Sequence, residues 1–321
     1  MEISVIIPTY RRPQLLKKCL TALLGQKFNK RQYEIIVITD GPDPETHKLI
    51  KEISKNRVVS VKCLALPEKR GPAAARNLGW LNAKSNVIAF TDDDCIPNER
   101  WLNEIWNNIN HFGYDAITGK VIVPHATRPT DHEKNTAGLE TAEFITANCA
   151  CTKNALLRAG GFDEQFPLAW REDSDLEFKL IRENITIRKI DSAIVTHPVR
   201  QTKWGISIRD QKKTQYNALL YKKFPDLYRE KIQPIPPVLY YAIVISFILM
   251  LSGLGTHSHW MALTGCYLWI ALTFNFIVKR LYTTSLSTSH VIEMVFTSFV
   301  IPFSSIFWQW YGAIKYKVFF I

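Results

Sequence analysis

Three long apolar runs after Pro234, at about 235–255, 260–278 and 291–313, have no counterpart earlier in the chain, so its two parts must meet different solvents. The first two runs carry no charge. At about 1.5 Å per residue each is long enough to cross a hydrocarbon core of about 30 Å. With the short Thr256-His257-Ser258-His259 link between them they read as a hairpin. The third run contains Glu293, Pro302 and Gln309 and ends near Lys315 and Lys317. A third span is the favoured reading there, with re-entry or an interfacial lie as its alternatives; buried core helices are the alternative for all three runs. The proline cluster in Gln233-Pro234-Ile235-Pro236-Pro237 suits a stiff boundary between two packing units.

Charge supports the same division. The net charge of +11 calls for an anionic partner, either nucleic acid or a membrane surface. Between Lys203 and Lys231 eight Lys/Arg face three acids, immediately ahead of the first apolar run. That position favours anionic headgroups, which attract juxtamembrane bases by about 1 kcal/mol each; nucleic acid is not expected. The hairpin link lacks Lys and Arg, whereas Lys231 precedes the hairpin and Lys279-Arg280 follow it. The positive-inside rule then predicts a multi-pass protein of the inner (plasma) membrane with its first part in the cytoplasm. Glu2 to Pro8 lacks the basic flank and apolar length of a signal peptide, and six cysteines without paired spacing fit a reducing compartment. Cys149-Ala-Cys151 has no further pair of ligands nearby to make a zinc site.

In the first 231 residues short apolar runs alternate with helical periodicity. Ile3 to Ile7, ended by Pro8, Glu34 to Ile38, Val58 to Leu64 and Val87 to Phe90 read as strands; apolar positions from Leu15 to Leu24, and residues 45–53, recur at helical spacing. Strands without polar alternation predict a mainly parallel sheet covered on both faces, and ligands in such sheets gather at the carboxyl ends of the strands. Thr9-Tyr10-Arg11, Asp40-Gly41 and Asp92-Asp93-Asp94 all fall at such ends. Two carboxylates one residue apart, Asp92 and Asp94, could hold a hard divalent cation, Mg²⁺ or Mn²⁺, that neutralises a departing diphosphate. An acidic surface turn is the alternative. Asp93 between them would contact a ribose or fix the loop. The stretch from Pro124 to Leu139 reads as a flexible acceptor-side loop or lid.

Five motifs in order, Val5-Ile6-Ile7-Pro8-Thr9-Tyr10, Gly71-Pro72-Ala73-Ala74-Ala75-Arg76-Asn77, Thr91-Asp92-Asp93-Asp94, Gly160-Gly161-Phe162-Asp163 and Glu172-Asp173-Ser174-Asp175-Leu176, resemble the family 2 glycosyltransferases over roughly residues 1–200. The resemblance implies a GT-A fold, a Rossmann-like, mixed but mainly parallel sheet with helices on both faces, followed here by C-terminal transmembrane helices. With it the chain reads as a GT-A domain over 1–231, made of a nucleotide-binding half (about 1–95), an acceptor half (96–200) and the basic juxtamembrane segment (201–231), followed by a membrane domain (235–321) of two or three helices. The resemblance implies an inverting, metal-dependent transfer from a nucleotide-sugar, UDP-linked by family prevalence, to a glycan or lipid-linked glycan at the cytosolic membrane face.

Donor contacts would come from Pro8, Thr9, Tyr10, Arg11, Asp40, Arg76 and Asp93. Asp173 would be the base, oriented by Glu172, and His197 a third metal ligand or diphosphate contact. Two departures stand out: Thr39 replaces the first acid of the usual Asp-Asp-Gly-Ser element, and in Arg200-Gln201-Thr202-Lys203-Trp204 the Gln and Arg of the processive synthases' Gln-x-x-Arg-Trp element are replaced. The second argues against a processive synthase. The alternatives are a nucleotidyltransferase, disfavoured because Pro8-Thr9-Tyr10-Arg11 is no glycine-rich phosphate loop, and a catalytically silent membrane scaffold.

Overall fold

The computed structural model describes residues 1–55 and 58–320. The strands are β1 (Ile3–Thr9), β2 (Tyr33–Thr39), β3 (Ser60–Ala65), β4 (Val87–Phe90), β5 (Ile96–Pro97), β6 (Ala116–Ile122), β7 (Cys149–Thr152) and β8 (Ile187–Thr196). Between them lie α1 (Pro13–Leu24), α2 (Pro44–Ser54), α3 (Pro72–Leu81), α4 (Trp101–Trp106), α5 (Asp131–Ala137), α6 (Lys153–Ala159) and α7 (Glu172–Arg182). After β8 come α8 (Ile206–Asp210), α9 (Gln215–Lys223), α10 (Pro225–Lys231), α11 (Val238–Gly255), α12 (His259–Leu281) and α13 (Thr288–Lys315). Two compact units result, one of Met1–Pro124 with Ala137–Val199, the other of His125–Thr136 with everything from Arg200 onward. Residues 200–231 thus group with the C-terminal helices.

One sheet in the order β3-β2-β1-β4-β7-β6-β8-β5 forms the first unit's centre. β1 to β4 are mutually parallel where they pair, whereas β7 runs antiparallel between β4 and β6. Both faces are covered. Ile3, Val5 and Ile7 pack with Leu16, Leu20, Trp101 and Leu102 on one side. Ile6, Ile36, Ile38 and Phe90 pack with Ala74, Trp80, Leu156 and Leu176 on the other.

β1 does not stop at Ile7 as the sequence suggested; it runs through Pro8 to Thr9. The Thr9 carbonyl accepts from Asp40 on the β2 side, and the Ile6 carbonyl accepts from Thr91 on the β4 side. Alternation therefore aims the Pro8 nitrogen toward β4, whose last residue is Phe90, so the absent N–H costs no ladder bond.

β6 and β8 are parallel with a register shift: Gly119 pairs with Ile190, but Lys120 pairs with Ile194. Asn148 clasps the irregularity, its Nδ2 donating to the Lys120 and Ala193 carbonyls at 2.9 and 2.8 Å. A Cβ on Gly119 would lie 2.3 Å from the Ala193 oxygen, so the clasp requires glycine there.

In the second unit α11, α12 and α13 are each long and apolar enough to cross a membrane. The stretch expected to be a flexible lid instead carries α5, and its 125–136 part is tied to these helices. Arg280 meets Asp131 at 2.8 Å, Lys134 Nζ donates to Thr283 at 2.9 Å, and the Ser285 N–H donates to the Pro129 carbonyl at 2.8 Å.

Candidate active site

The β1, β2 and β4 ends bring together the three polar loops of the first unit. Past β4, the Thr91 hydroxyl donates to the Ala147 carbonyl at 3.0 Å, fixing the start of the aspartate run. Asp93 turns into the protein, where Thr9 Oγ1 donates to its Oδ2 at 2.6 Å and Arg12 Nε lies 3.2 Å from the same oxygen. That carboxylate ties the exit of β1 to the exit of β4.

Asp40 does comparable work at the end of β2. Its Oδ1 accepts the N–H groups of Arg70 and Gly71 at 2.7 and 2.9 Å, setting the entry to α3. Gly71 has φ +97, and a Cβ there would sit 2.2 Å from the Pro167 oxygen, so both conformation and space demand glycine. Arg11 also adopts positive φ, its N–H donating to Asp43 at 2.8 Å. The Tyr10 ring lies under two cations, Lys69 Nζ at 4.2 Å and Arg11 Cζ at 5.2 Å. Pro8 stays buried within β1.

Arg76 is buried on α3 and bridges the two halves of the unit. Its Nη2 lies 2.8 Å from Asp92 Oδ1 and its Nη1 3.1 Å from Glu172 Oε1. The sequence reading gave this guanidinium to a nucleotide; its two polar arms are directed at carboxylates. Glu172 opens α7, preceded by Arg171 in the left-handed region, and burial pushes its carboxyl up to about 7, helped by neighbouring Asp173 and opposed by Arg76. Asp173, half-exposed, accepts the N–H of Ser174 at 2.7 Å in the first turn of the helix, where the dipole favours a carboxylate.

Asp92, Asp94, Cys95 and His197 present ligand atoms that all lie within 4.8 Å of one another. His197 comes from the end of β8, its N–H donating to the Ile122 carbonyl at 2.8 Å. Its Nε2 is 3.7 Å from Asp94 Oδ1, longer than a hydrogen bond, and its buried Nδ1 has no partner among the described residues. Burial, together with Asp92 and Asp94, pushes the Cys95 thiol well above its usual value, so it stays protonated. Two carboxylates and one imidazole fit an oxygen-preferring divalent ion, and the Cys95 sulfur lies within the same cluster.

The structure thus gathers Asp92, Asp94 and His197, places Glu172 one arginine away, and has Thr9, Asp40 and Asp93 brace the loops around them. Sequence reasoning passed over Arg12, Lys69 and Cys95. The tandem Arg11-Arg12 and the adjacency of Cys95 to the aspartates were the available signals; nothing local pointed to Lys69.

Comparison with known proteins gives a consistent picture. The family model described as Glycosyl transferase family 2 matches residues 4–166. Glycosyltransferase AglE of Haloferax volcanii is 30% identical over 159 residues, 49% of this chain and 52% of that protein. The chain spans about half the length, or less, of the first curated relatives it matches. Among solved structures, Staphylococcus aureus TarS 1-349 in complex with UDP superposes with a TM-score of 0.52 at 14% identity, covering 100% of this chain and 93% of that one. The mannosyltransferase PcManGT of Pyrobaculum calidifontis, in complex with GDP-Man and Mn²⁺, gives 0.58 at 16% identity, covering 98% and 87%. At these identities the structural likeness is one of fold, GT-A.

Proposed function

Because the chain belongs to glycosyl transferase family 2, we propose that its first unit moves a sugar, with inversion, from a nucleoside diphosphate donor to a saccharide or lipid-linked acceptor. The observation that carries this reading is the convergence of Asp92, Asp94 and His197, with Arg76 linking that cluster to the Glu172-Asp173 pair. UDP is the nucleotide proposed. TarS was solved with UDP and PcManGT with GDP-Man, so both nucleotides belong in the test.

Asp92, Asp94 and His197 would hold Mg²⁺ or Mn²⁺, which when bound supplies positive charge to the leaving diphosphate. Asp173 takes the proton from the acceptor hydroxyl. The freed oxygen forms a bond to the anomeric carbon while the bond from that carbon to the diphosphate oxygen breaks, the electron pair leaving with the diphosphate. Glu172, held by Arg76, fixes the start of α7 on which Asp173 sits. Tyr10, with Lys69 and Arg11 around its ring, offers a flat cationic platform to a nucleotide.

The membrane part of the proposal is an α11–α12 hairpin that anchors the enzyme in the inner membrane. The bases at Lys231, Lys279 and Arg280 then mark the cytoplasmic side, where a lipid-linked acceptor would be met. The deciding experiment is a thermal-shift screen of UDP- and GDP-sugars with Mg²⁺, Mn²⁺ or chelator. A metal-dependent rise with a UDP-sugar, lost in Asp92→Ala and Asp94→Ala, is the expected result; stabilisation indifferent to chelator would overturn the metal site.

A further inference from the structure

We propose that α13 does not cross the membrane but lies along its surface, with α8 and α9 on one flank and the headgroup–acyl boundary of an anionic bilayer on the other. This rests on the reading of the second unit as membrane-associated, and it replaces the third span that composition favoured.

The contacts along α13 carry the inference. Near its start Glu293 accepts the N–H of Gly205 at 2.7 Å, and Phe296 meets Trp204 with ring centroids 5.3 Å apart. Midway Ile301 shares a cluster with Ile208. Farther on Lys212 lies over the Trp308 ring at 5.6 Å, and a Cβ on Gly312 would sit 2.3 Å from the Gln215 oxygen. Past its end the Lys222 ammonium donates to the Tyr316 carbonyl at 2.8 Å. From Glu293 to Tyr316 the rise is about 35 Å, more than the roughly 30 Å of a hydrocarbon core, and residues 204–222 keep company with it throughout. That companion contains Arg209, Asp210, Lys212 and Lys213. A span by α13 would drag this charged segment through the core with it.

The hairpin contacts agree. On α12, Arg280 donates to Thr297 and Ser298, while Trp269, about 16 Å farther along that helix, meets Phe299 at 5.6 Å. Two distant points of α12 therefore meet almost one point of α13. On α11, Phe247 meets Phe303 at 5.2 Å. α13 therefore crosses α12 instead of running along it.

Its faces are inverted relative to a water-soluble helix. The buried stripe carries His290, Thr297, Ser298, Ser305 and Gln309, whereas Ile292, Phe296, Phe307, Trp310 and Ile314 are exposed at helical spacing. Bases border that apolar stripe on aromatic supports, Lys212 over Trp308 and Lys315 over Tyr216. An apolar face edged by cations matches the depth at which acyl chains give way to anionic headgroups.

The test uses the full chain in right-side-out and inverted membrane vesicles, with Cys63 and Cys266 replaced by Ser and single cysteines introduced at exposed sites. Lys203→Cys marks the companion segment, Ser258→Cys the hairpin tip and Phe319→Cys the far end of α13. A membrane-impermeant maleimide should label Lys203→Cys and Phe319→Cys in the same vesicle orientation, with loss of labelling in the other, and Ser258→Cys in the opposite one. Labelling of Phe319→Cys together with Ser258→Cys and apart from Lys203→Cys overturns the proposal. Labelling of all three from one face keeps α13 on the surface but removes the hairpin span of the proposed anchor. A bimane probe at Phe307→Cys gives an independent reading: quenching strongest by a headgroup-level nitroxide lipid supports the surface position, and quenching strongest by a mid-chain nitroxide overturns it.

Discussion

Asp173 and Glu172 are neighbours with opposed surroundings, and the roles proposed for them follow from that difference. Asp173 is half-exposed in the first turn of α7, open to an acceptor hydroxyl; Glu172 is buried against Arg76. Asp173→Asn should lower kcat by about 10²- to 10⁴-fold while leaving metal-dependent donor binding intact, as measured by steady-state kinetics beside calorimetry with a UDP-sugar. Glu172 titrates near 7 in the fold against 4.5 for an ordinary glutamate. A raised carboxyl pKa means that the native state holds a proton the unfolded chain has released. The stability from this group is therefore full below about pH 4.5 and is lost as pH rises through 7. In thermal melts across that window Glu172→Gln should flatten the decline, and an unchanged slope would assign the titration elsewhere.

Among the elements, the loop between β3 and α3 is held by backbone donors on Asp40 and by a glycine that no other residue can replace without strain. Gly71→Ala should destabilise the protein by about 2 kcal/mol or more in denaturant melts and weaken donor binding, since the Asp40 clasp opens with it. The parallel strands near the N-terminus were legible in the sequence because short, mainly apolar runs such as Ile35-Ile36-Val37-Ile38 and Val87-Ile88-Ala89-Phe90 alternate with helical periodicity, and Asp92-Asp93-Asp94 was legible because only Thr91 separates that charge from β4. The continuation of β1 through Pro8 was not, because only the place where β4 ends shows that this proline needs no donor. Arg76 read as a donor contact through the family resemblance; its ion pairs with Asp92 and Glu172, 16 and 96 residues away, lie beyond any local pattern. The run of bases from 203 to 231 read as a juxtamembrane collar for anionic headgroups; the contacts of Trp204, Ile208 and Gln215 with α13 lie beyond any local periodicity.

For the molecule as a whole, the second unit presents broad apolar surface on α11, α12 and α13. Full-length protein should stay in the membrane fraction through an alkaline carbonate wash and leave it only with detergent, with immunoblots of both fractions as the readout; release by carbonate would dismiss the hairpin anchor. The shift between β6 and β8 bears on which lengths of chain this protein can tolerate. Residues 191–193 are supernumerary on β8, and they set how far the strand advances before His197 emerges beside Asp94. They act as a ruler whose unit is one residue. Removing a single residue there would turn the imidazole to the opposite side of the sheet, and removing two would restore the side but retract the ring by about 7 Å. Either deletion should abolish metal-dependent donor binding while β1 to β4 still fold, which marks residues 191–193 as a place where changes of length are not tolerated.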